Sequence, residues 1–428
     1  MNKFSGPRGE RQLWIIVFVL MLVGIMNYVD RMLPSVLAEP IRQEFALSDS
    51  ALGFINGLGF LVVYSLACIP MARFADNGRQ GMVIAASLVT WSVMTMLGAF
   101  AGNAVQLAIA RVGVALGEAG AIPASHAFIT RHLPPARRAR ALAVFTLCVP
   151  LGTMAGHAAG GILGEQLGWR NAFLILGGIG LVLTLIVVRI LPLRRTTDDA
   201  AAVETGSDEI GAKLGMMHLL RLRSFVAMLG ATAFMGAGGY ASGAFIPAFL
   251  MRSHGFSVGQ AGTQYGLAAG VLGVLGLLLT GYLADRLARR DPRWILLVVV
   301  VMTAAALPIS FLSFSIQSAP LAVLALATNP AIGYFYIAPV VAAAHQIAPP
   351  QLRARASALI VLATSLSGGS GALAVGLMSD HLKPAYDIHA LGHALILVPL
   401  FFTLGLACLI ASIVFFRADL AARGTSPE

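Results

Sequence analysis

The stretch Ala110-Arg-Val-Gly-Val-Ala-Leu-Gly-Glu-Ala-Gly-Ala-Ile-Pro123 decides how the chain is built, because it sets Arg111 and Glu118 in the middle of a long hydrophobic segment. An ionised group at the centre of a bilayer is expensive, so such residues face a bundle interior or a watery cavity and mark a transport path. Seven residues is close to two helical turns, which puts Arg111 and Glu118 on one helix face about 10 Å apart. Gly113, Gly117 and Gly120 let another helix or a ligand approach the backbone there. The alternative is an intramembrane ion pair of purely structural purpose.

The composition agrees with that reading. Of the 428 residues, 58% are hydrophobic and 11% charged, and the mean hydropathy is +0.82, which excludes an ordinary soluble domain. The apolar runs are too long for barrel strands and do not alternate, so they are expected to be transmembrane helices. Twelve are expected, at about 13–37, 50–72, 81–102, 104–130, 140–164, 170–192, 224–251, 258–284, 293–316, 320–347, 354–379 and 390–416. The first run is too long for a cleavable signal peptide and is expected to stay in the mature protein. Cys68, Cys148 and Cys408 all lie in apolar segments, which argues for packing rather than disulfides or a metal cluster.

Charge gives the orientation. Of the 29 Lys and Arg, Arg31 and Arg111 fall inside spans, and only Arg42, Arg170, Arg252 and Lys383 fall in the loops opposite the N-terminus. By the positive-inside rule both termini and the central loop are expected in the cytoplasm, so the basic charge reflects topology and lipid contact rather than nucleic acid. Of the 19 Asp and Glu, only Asp30 and Glu118 lie well inside a span, and these are the candidate proton sites.

Residues 194–223 are poor in large apolar side chains and read as a cytoplasmic linker between six-helix halves at 1–193 and 224–428. Within the linker, Ala212 to Leu222 is either an amphipathic surface helix or a plain loop. The halves repeat. Ala72-Arg-Phe-Ala-Asp76-Asn-Gly-Arg79 follows the second span and Gly281-Tyr-Leu-Ala-Asp285-Arg-Leu-Ala-Arg289-Arg290 the eighth. Leu133-Pro-Pro-Ala-Arg-Arg-Ala-Arg140 precedes the fifth and Ala348-Pro-Pro-Gln-Leu-Arg-Ala-Arg355 the eleventh. Parallel six-helix repeats place a binding site at the midplane.

On these motifs the chain resembles the major facilitator superfamily over nearly its whole length. Gly281 to Arg290 matches that family's signature loop, whereas the first copy departs from it with Ala72 for the glycine and Asn77 for the arginine. Within the superfamily it is similar to the bacterial Spinster-type transporters, through Asn27-Tyr-Val-Asp30-Arg31, Gly117-Glu118-Ala119, Pro150-Leu-Gly-Thr-Met-Ala-Gly156, Ala356-Ser-Ala-Leu359 and Gly376-Leu-Met-Ser-Asp380. The resemblance implies an all-α membrane fold and a proton-linked carrier of amphipathic lipids such as lysophospholipids or sphingosine phosphates, working by alternating access. A small organic-anion symporter of the same superfamily is the alternative.

A carboxylate that exchanges arginine for apolar surroundings can load and release a proton, and Asp30 and Glu118 have the right neighbours. Arg31 and Arg111 suit a phosphate or carboxylate headgroup through the planar guanidinium fork. Consecutive helix residues point about 100° apart, so Arg31, with Asn27 on its face, is expected to turn toward a ligand and Asp30 toward the fourth span. Tyr336 is expected in the cavity, and Tyr28 and Tyr334 either there or at the membrane interface. His126, His157 and His345 are packing residues or titrating groups. Asp76, Arg79, Asp285, Arg286 and Arg290 form a cytoplasmic gate or merely set topology. Gly152, Gly156, Gly160 and Gly164 recur every fourth residue as a helix-packing face.

No nucleotide-binding motif and no nucleophile, base and metal constellation is present, so no cofactor is implied and neither ATP coupling nor an enzyme is expected. A receptor without net transport would want a signalling domain. The expected partners are a small-molecule or lipid substrate, protons and the lipids of a bacterial inner membrane, with the chain acting as a monomer.

Overall fold

A run of apolar residues in lipid must satisfy its own backbone polar groups, and a helix does this within the segment. The computed structural model of the chain describes residues 7–193 and 217–424, and these are overwhelmingly helical. Among these residues ten helical stretches are long and apolar enough to span a bilayer: α1 (Arg11–Val36), α2 (Asp49–Phe74), α3 (Gln80–Gly98), α4 (Ala104–His132), α5 (Arg140–Ile190), α6 (Arg223–His254), α7 (Val258–Ala288), α8 (Trp294–Leu312), α9 (Ala319–Ile347) and α10 (Arg355–Ala421). The two longest, with 51 and 67 residues, each cover two of the twelve expected spans. Gly168 breaks α5 with a φ of +81°, a conformation that a side chain would resist. A short 3₁₀ turn at Asp387–His389 breaks α10. Residues 217–221, at the end of the proposed amphipathic stretch, are helical, and the rest of the linker lies outside the described residues.

The described residues form two compact units. Unit 1 holds those up to Leu47, those from Gly59 to 193 and Phe256–Gly266. Unit 2 holds Ser48–Leu58, those from 217 to Gly255 and those from Leu267 onward. The first ten or so residues of α2 and of α7 therefore cluster apart from the rest of their own helices.

In unit 1 the glycine stripe of α5 lies against α1. Gly152 meets Ile25 and Tyr28, Gly156 meets Val29 and Met32, and Gly160 meets Leu33 and Val36. This close approach fixes the rotation of α1 and so decides where Asp30 and Arg31 point.

The arginines expected opposite the N-terminus serve as ion-pair partners. Arg42 reaches Glu39 at 2.7 Å, Arg170 reaches Glu44 at 2.6 Å and Arg252 reaches Asp49 at 2.7 Å. Arg170 and the Trp169 indole N–H, which donates to Glu44 at 2.6 Å, together hold the Glu44 carboxyl below the usual carboxylate range. At the other end of the chain, Arg417 pairs with Asp291 at 2.6 Å. The Arg293 backbone N–H and Arg417 hold the Asp291 carboxyl low in the same way.

Candidate functional site

Unit 1 carries four shielded ionisable groups from two expected spans, the first and the fourth. Glu118 is fully buried, Asp30 is 1% exposed and Arg111 4% exposed. Arg31 Nε donates to Glu118 Oε2 at 2.7 Å, and both side chains are shielded from solvent. Asp30 Oδ1 accepts from the Thr95 hydroxyl of α3 at 2.9 Å. The expected orientation is thus reversed: Arg31, not Asp30, turns to the fourth span, and Asp30 turns to the third. The reason is the 100° step between neighbours together with the glycine stripe, which sets the roll of α1.

Glu118 stands where α4 is interrupted. Residues 104–118 are helical, a turn occupies Ala119 and Gly120, and the helix resumes at Ala121. Gly117 lets α4 lie directly against the backbone of Trp91 on α3, where an added Cβ would meet the Trp91 nitrogen. A broken helix with a carboxylate at the break is how carriers expose polar groups at membrane depth.

Aromatic faces enclose the guanidinium groups. The Arg31 guanidinium carbon is 4.3 Å from the Tyr64 ring centre, 5.3 Å from Tyr28 and 5.8 Å from Phe60. That of Arg111 is 4.6 Å from Phe60. A ring face attracts a cation, by about 2 kcal/mol when desolvated, without neutralising it. The rings therefore leave the positive charge in place, and on Arg31 it meets the Glu118 carboxylate. Arg111 Nε, Glu118 Oε1, Asp30 Oδ2 and both side-chain polar atoms of Asn27 are buried without a hydrogen-bond partner. Native interiors satisfy nearly all such atoms, so a cluster of five in one place makes this region the candidate site.

Sequence reasoning named Asp30, Glu118, Arg31, Arg111 and Asn27, and unit 1 brings them to one region. It missed Thr95, Phe60 and Tyr64. The last two stack at i and i+4 with centroids 6.2 Å apart, the one signal they gave. Tyr336 lies in unit 2, buried, with its hydroxyl 3.5 Å from Thr364 Oγ1. The histidines each have a neighbour: His126 packs on Phe145, His157 Nδ1 lies 2.9 Å from the Thr153 carbonyl, and His345 Nε2 lies 2.7 Å from Ser357 Oγ. Of the expected gate residues, Arg79, Asp285, Arg286 and Arg290 are exposed, and Arg286 donates to the Tyr282 hydroxyl at 2.8 Å. The Asp76 side chain lies outside the described residues.

Comparison with known proteins places these residues in a wider set. Residues 20–372 and 228–428 match the model of the Major Facilitator Superfamily. The chain is 47% identical over 390 residues to an MFS-type efflux pump of Mycolicibacterium smegmatis, covering 91% of this chain and 90% of that one. It is 26% identical over 438 residues to protein spinster homolog 1 of Homo sapiens, covering 95% and 81%. Among solved structures it is similar to a bacterial homologue of the human lysosomal transporter Spinster, in an inward-facing, unoccupied conformation. That likeness has a TM-score of 0.81 and 25% identity over 97% of this chain and 99% of the other.

Proposed function

The chain belongs to the major facilitator superfamily, and we propose that it is a proton-coupled secondary transporter of an amphipathic anion, of the lysophospholipid or sphingolipid-phosphate type, working by alternating access. The observation that carries the reading is the buried Arg31–Glu118 pair at 2.7 Å, beside Asp30 and Arg111 at membrane depth. Two arginines and two carboxylates form a balanced set. An anionic headgroup that draws Arg31 away from Glu118 leaves a buried carboxylate without its cation, and the carboxylate then takes up a proton. Asp30, held by Thr95, is the second proton carrier in this reading.

Arg31 and Arg111 bind the headgroup, Asn27 offers both a donor and an acceptor, and Tyr336 serves from the C-terminal half. Asp285, Arg286 and Arg290, with Asp76 and Arg79, form the cytoplasmic gate. Both termini lie in the cytoplasm and the membrane is the bacterial inner membrane. The relative named an efflux pump supports export as the direction. A relative of Escherichia coli named a probable galactarate/D-glucarate transporter, at 24% identity over 66% of the chain, supports the small-acid alternative.

Counterflow in proteoliposomes with an internal pH dye decides between them. We expect lysophosphatidylglycerol to exchange and to move protons, with galactarate inert. Exchange of galactarate alone would establish the alternative, and no exchange of either would overturn carriage of anions.

A further inference from the structure

We propose that unit 2 holds a ligand site of its own, a cavity of about 630 Å³ between the end of α6, the loop joining α8 to α9 and a joint in α10, shaped for a neutral ring compound that carries hydroxyl groups. All of its lining residues belong to unit 2, whereas the charge cluster lies in unit 1, so the site does not depend on the carrier reading. A volume of that size falls within the ordinary range of small-molecule pockets.

The wall is a row of rings. Phe249, near the end of α6, meets the His254 ring edge-on with centres 5.5 Å apart and the Phe314 ring at 5.8 Å. His254 Nε2 lies 3.0 Å from the Ile316 carbonyl, and because a carbonyl only accepts, the imidazole donates. That bond ties the loop at 313–318 to the end of α6. From α10, Gly392 comes so close to Phe249 that an added Cβ would stand 2.9 Å from the ring. The neighbouring His393 ring lies 4.2 Å from that of Tyr386. Rings packed in this way are ordered before a ligand arrives, which lowers the cost of binding.

The joint of α10 is bent around the same space. Asp387 has a φ of +46° and a ψ of −118°, outside the wells open to residues with a side chain. The 3₁₀ turn at Asp387–His389 begins there, and a second turn interrupts the helix at Leu395 and Ile396. His389, Gly392, His393 and Ile396, within this bent segment, all line the cavity. Strained backbone persists where its surroundings hold it, and it gathers at ligand clamps.

The lining chemistry selects the ligand. Phe249, Phe311 and Phe314 offer aromatic surface to a flat apolar body, and His389, His393 and Gln317 offer donors and acceptors to its hydroxyl groups. Among the described residues that line the cavity there is no Asp, Glu, Lys or Arg, so an ion entering it would lose water without gaining a fixed counter-charge. A polyol without rings would leave the phenylalanines unused. A ligand that fills the space touches α6, the loop and α10 at once, and so pins the joint.

Calorimetric titration of the full chain in lipid nanodiscs, with empty nanodiscs subtracted, tests this with catechin, a neutral ring compound bearing hydroxyls. Saturable binding to a single site is expected, with a Kd on the order of 100 µM. Naphthalene-2-sulfonate, a charged ring, and sorbitol, a polyol without rings, should bind about ten-fold more weakly or less. Phe314→Ala should weaken catechin about ten-fold by removing part of the wall. Ile396→Trp should weaken it at least as much by filling the space, and because Ile396 is exposed this variant decides if Phe314→Ala does not fold. The imidazole NMR signals of His389 and His393 should shift on binding, and that of His157, in unit 1, should stay. Absence of saturable binding, undiminished binding in Ile396→Trp, or a shift of His157 in place of the other two would overturn the site. Sulfonate or sorbitol binding as tightly as catechin would overturn the ligand class.

Discussion

In α4, Arg111 and Glu118 stand seven residues apart with opposite charge. At the corresponding places of α9, counted back from the Pro-Pro loops that follow both helices, stand Leu326 and Gly333. Both helices are interrupted, α4 after Glu118 and α9 at Ala327 and Tyr336. At the α4 break the polar groups are ionisable and five nearby polar atoms lack hydrogen-bond partners. Along α9 they are neutral and satisfied: Ser310 donates to Asn329 Oδ1 at 2.5 Å, and Asn329 Nδ2 donates to the Leu326 carbonyl at 3.1 Å. Gly333 is used for close approach to Gly239. Charge-bearing and unpartnered groups therefore concentrate in the α4 repeat, and neutral, paired ones in the α9 repeat.

If that division is right, substitutions in α4 should far outweigh those in α9. The largest effect is expected for Arg111→Ala, which should lower lysophosphatidylglycerol affinity on the order of 100-fold by removing a charge-assisted contact in a dry site. Arg111→Lys keeps the charge but loses the fork, and should lie near ten-fold. Binding isotherms and melting temperatures of the three purified forms check this. Near-normal affinity in the lysine form, with only a stability loss in the alanine form, would leave Arg31 as the sole anion anchor.

The smallest effect is expected from α9. Tyr336→Phe removes a hydroxyl whose contact with Thr364 is already long at 3.5 Å, so exchange rates should change about two-fold or less and the proton to substrate ratio not at all. A changed ratio in that variant would show that α9 shares the proton chemistry.

Much of this was legible in the chain. Runs of some twenty apolar residues give the spans, the matching loops give the repeat, and Arg111 and Glu118 point to the buried charge cluster because charge in lipid needs a reason. The partners were not legible. Whether Asp30 or Arg31 meets Glu118 depends on the roll of α1, which the glycines of α5 set across more than a hundred residues. Thr95 is one hydroxyl in an apolar helix, indistinguishable in sequence from those that merely bond to their own backbone, as Thr184 does to Gly180. Asp380 lies 331 residues from Asp49, and only folding shows that it caps that helix.

The central claim is that Glu118 and Asp30 carry the coupled protons. Proton flux into proteoliposomes, driven by a lysophosphatidylglycerol gradient and read with an internal pH dye, tests it in Glu118→Gln and Asp30→Asn, which keep shape and remove titration. The account predicts that substrate exchange persists in both while proton flux falls to the level of empty vesicles in Glu118→Gln and at least ten-fold in Asp30→Asn. Wild-type proton flux in both variants would contradict it.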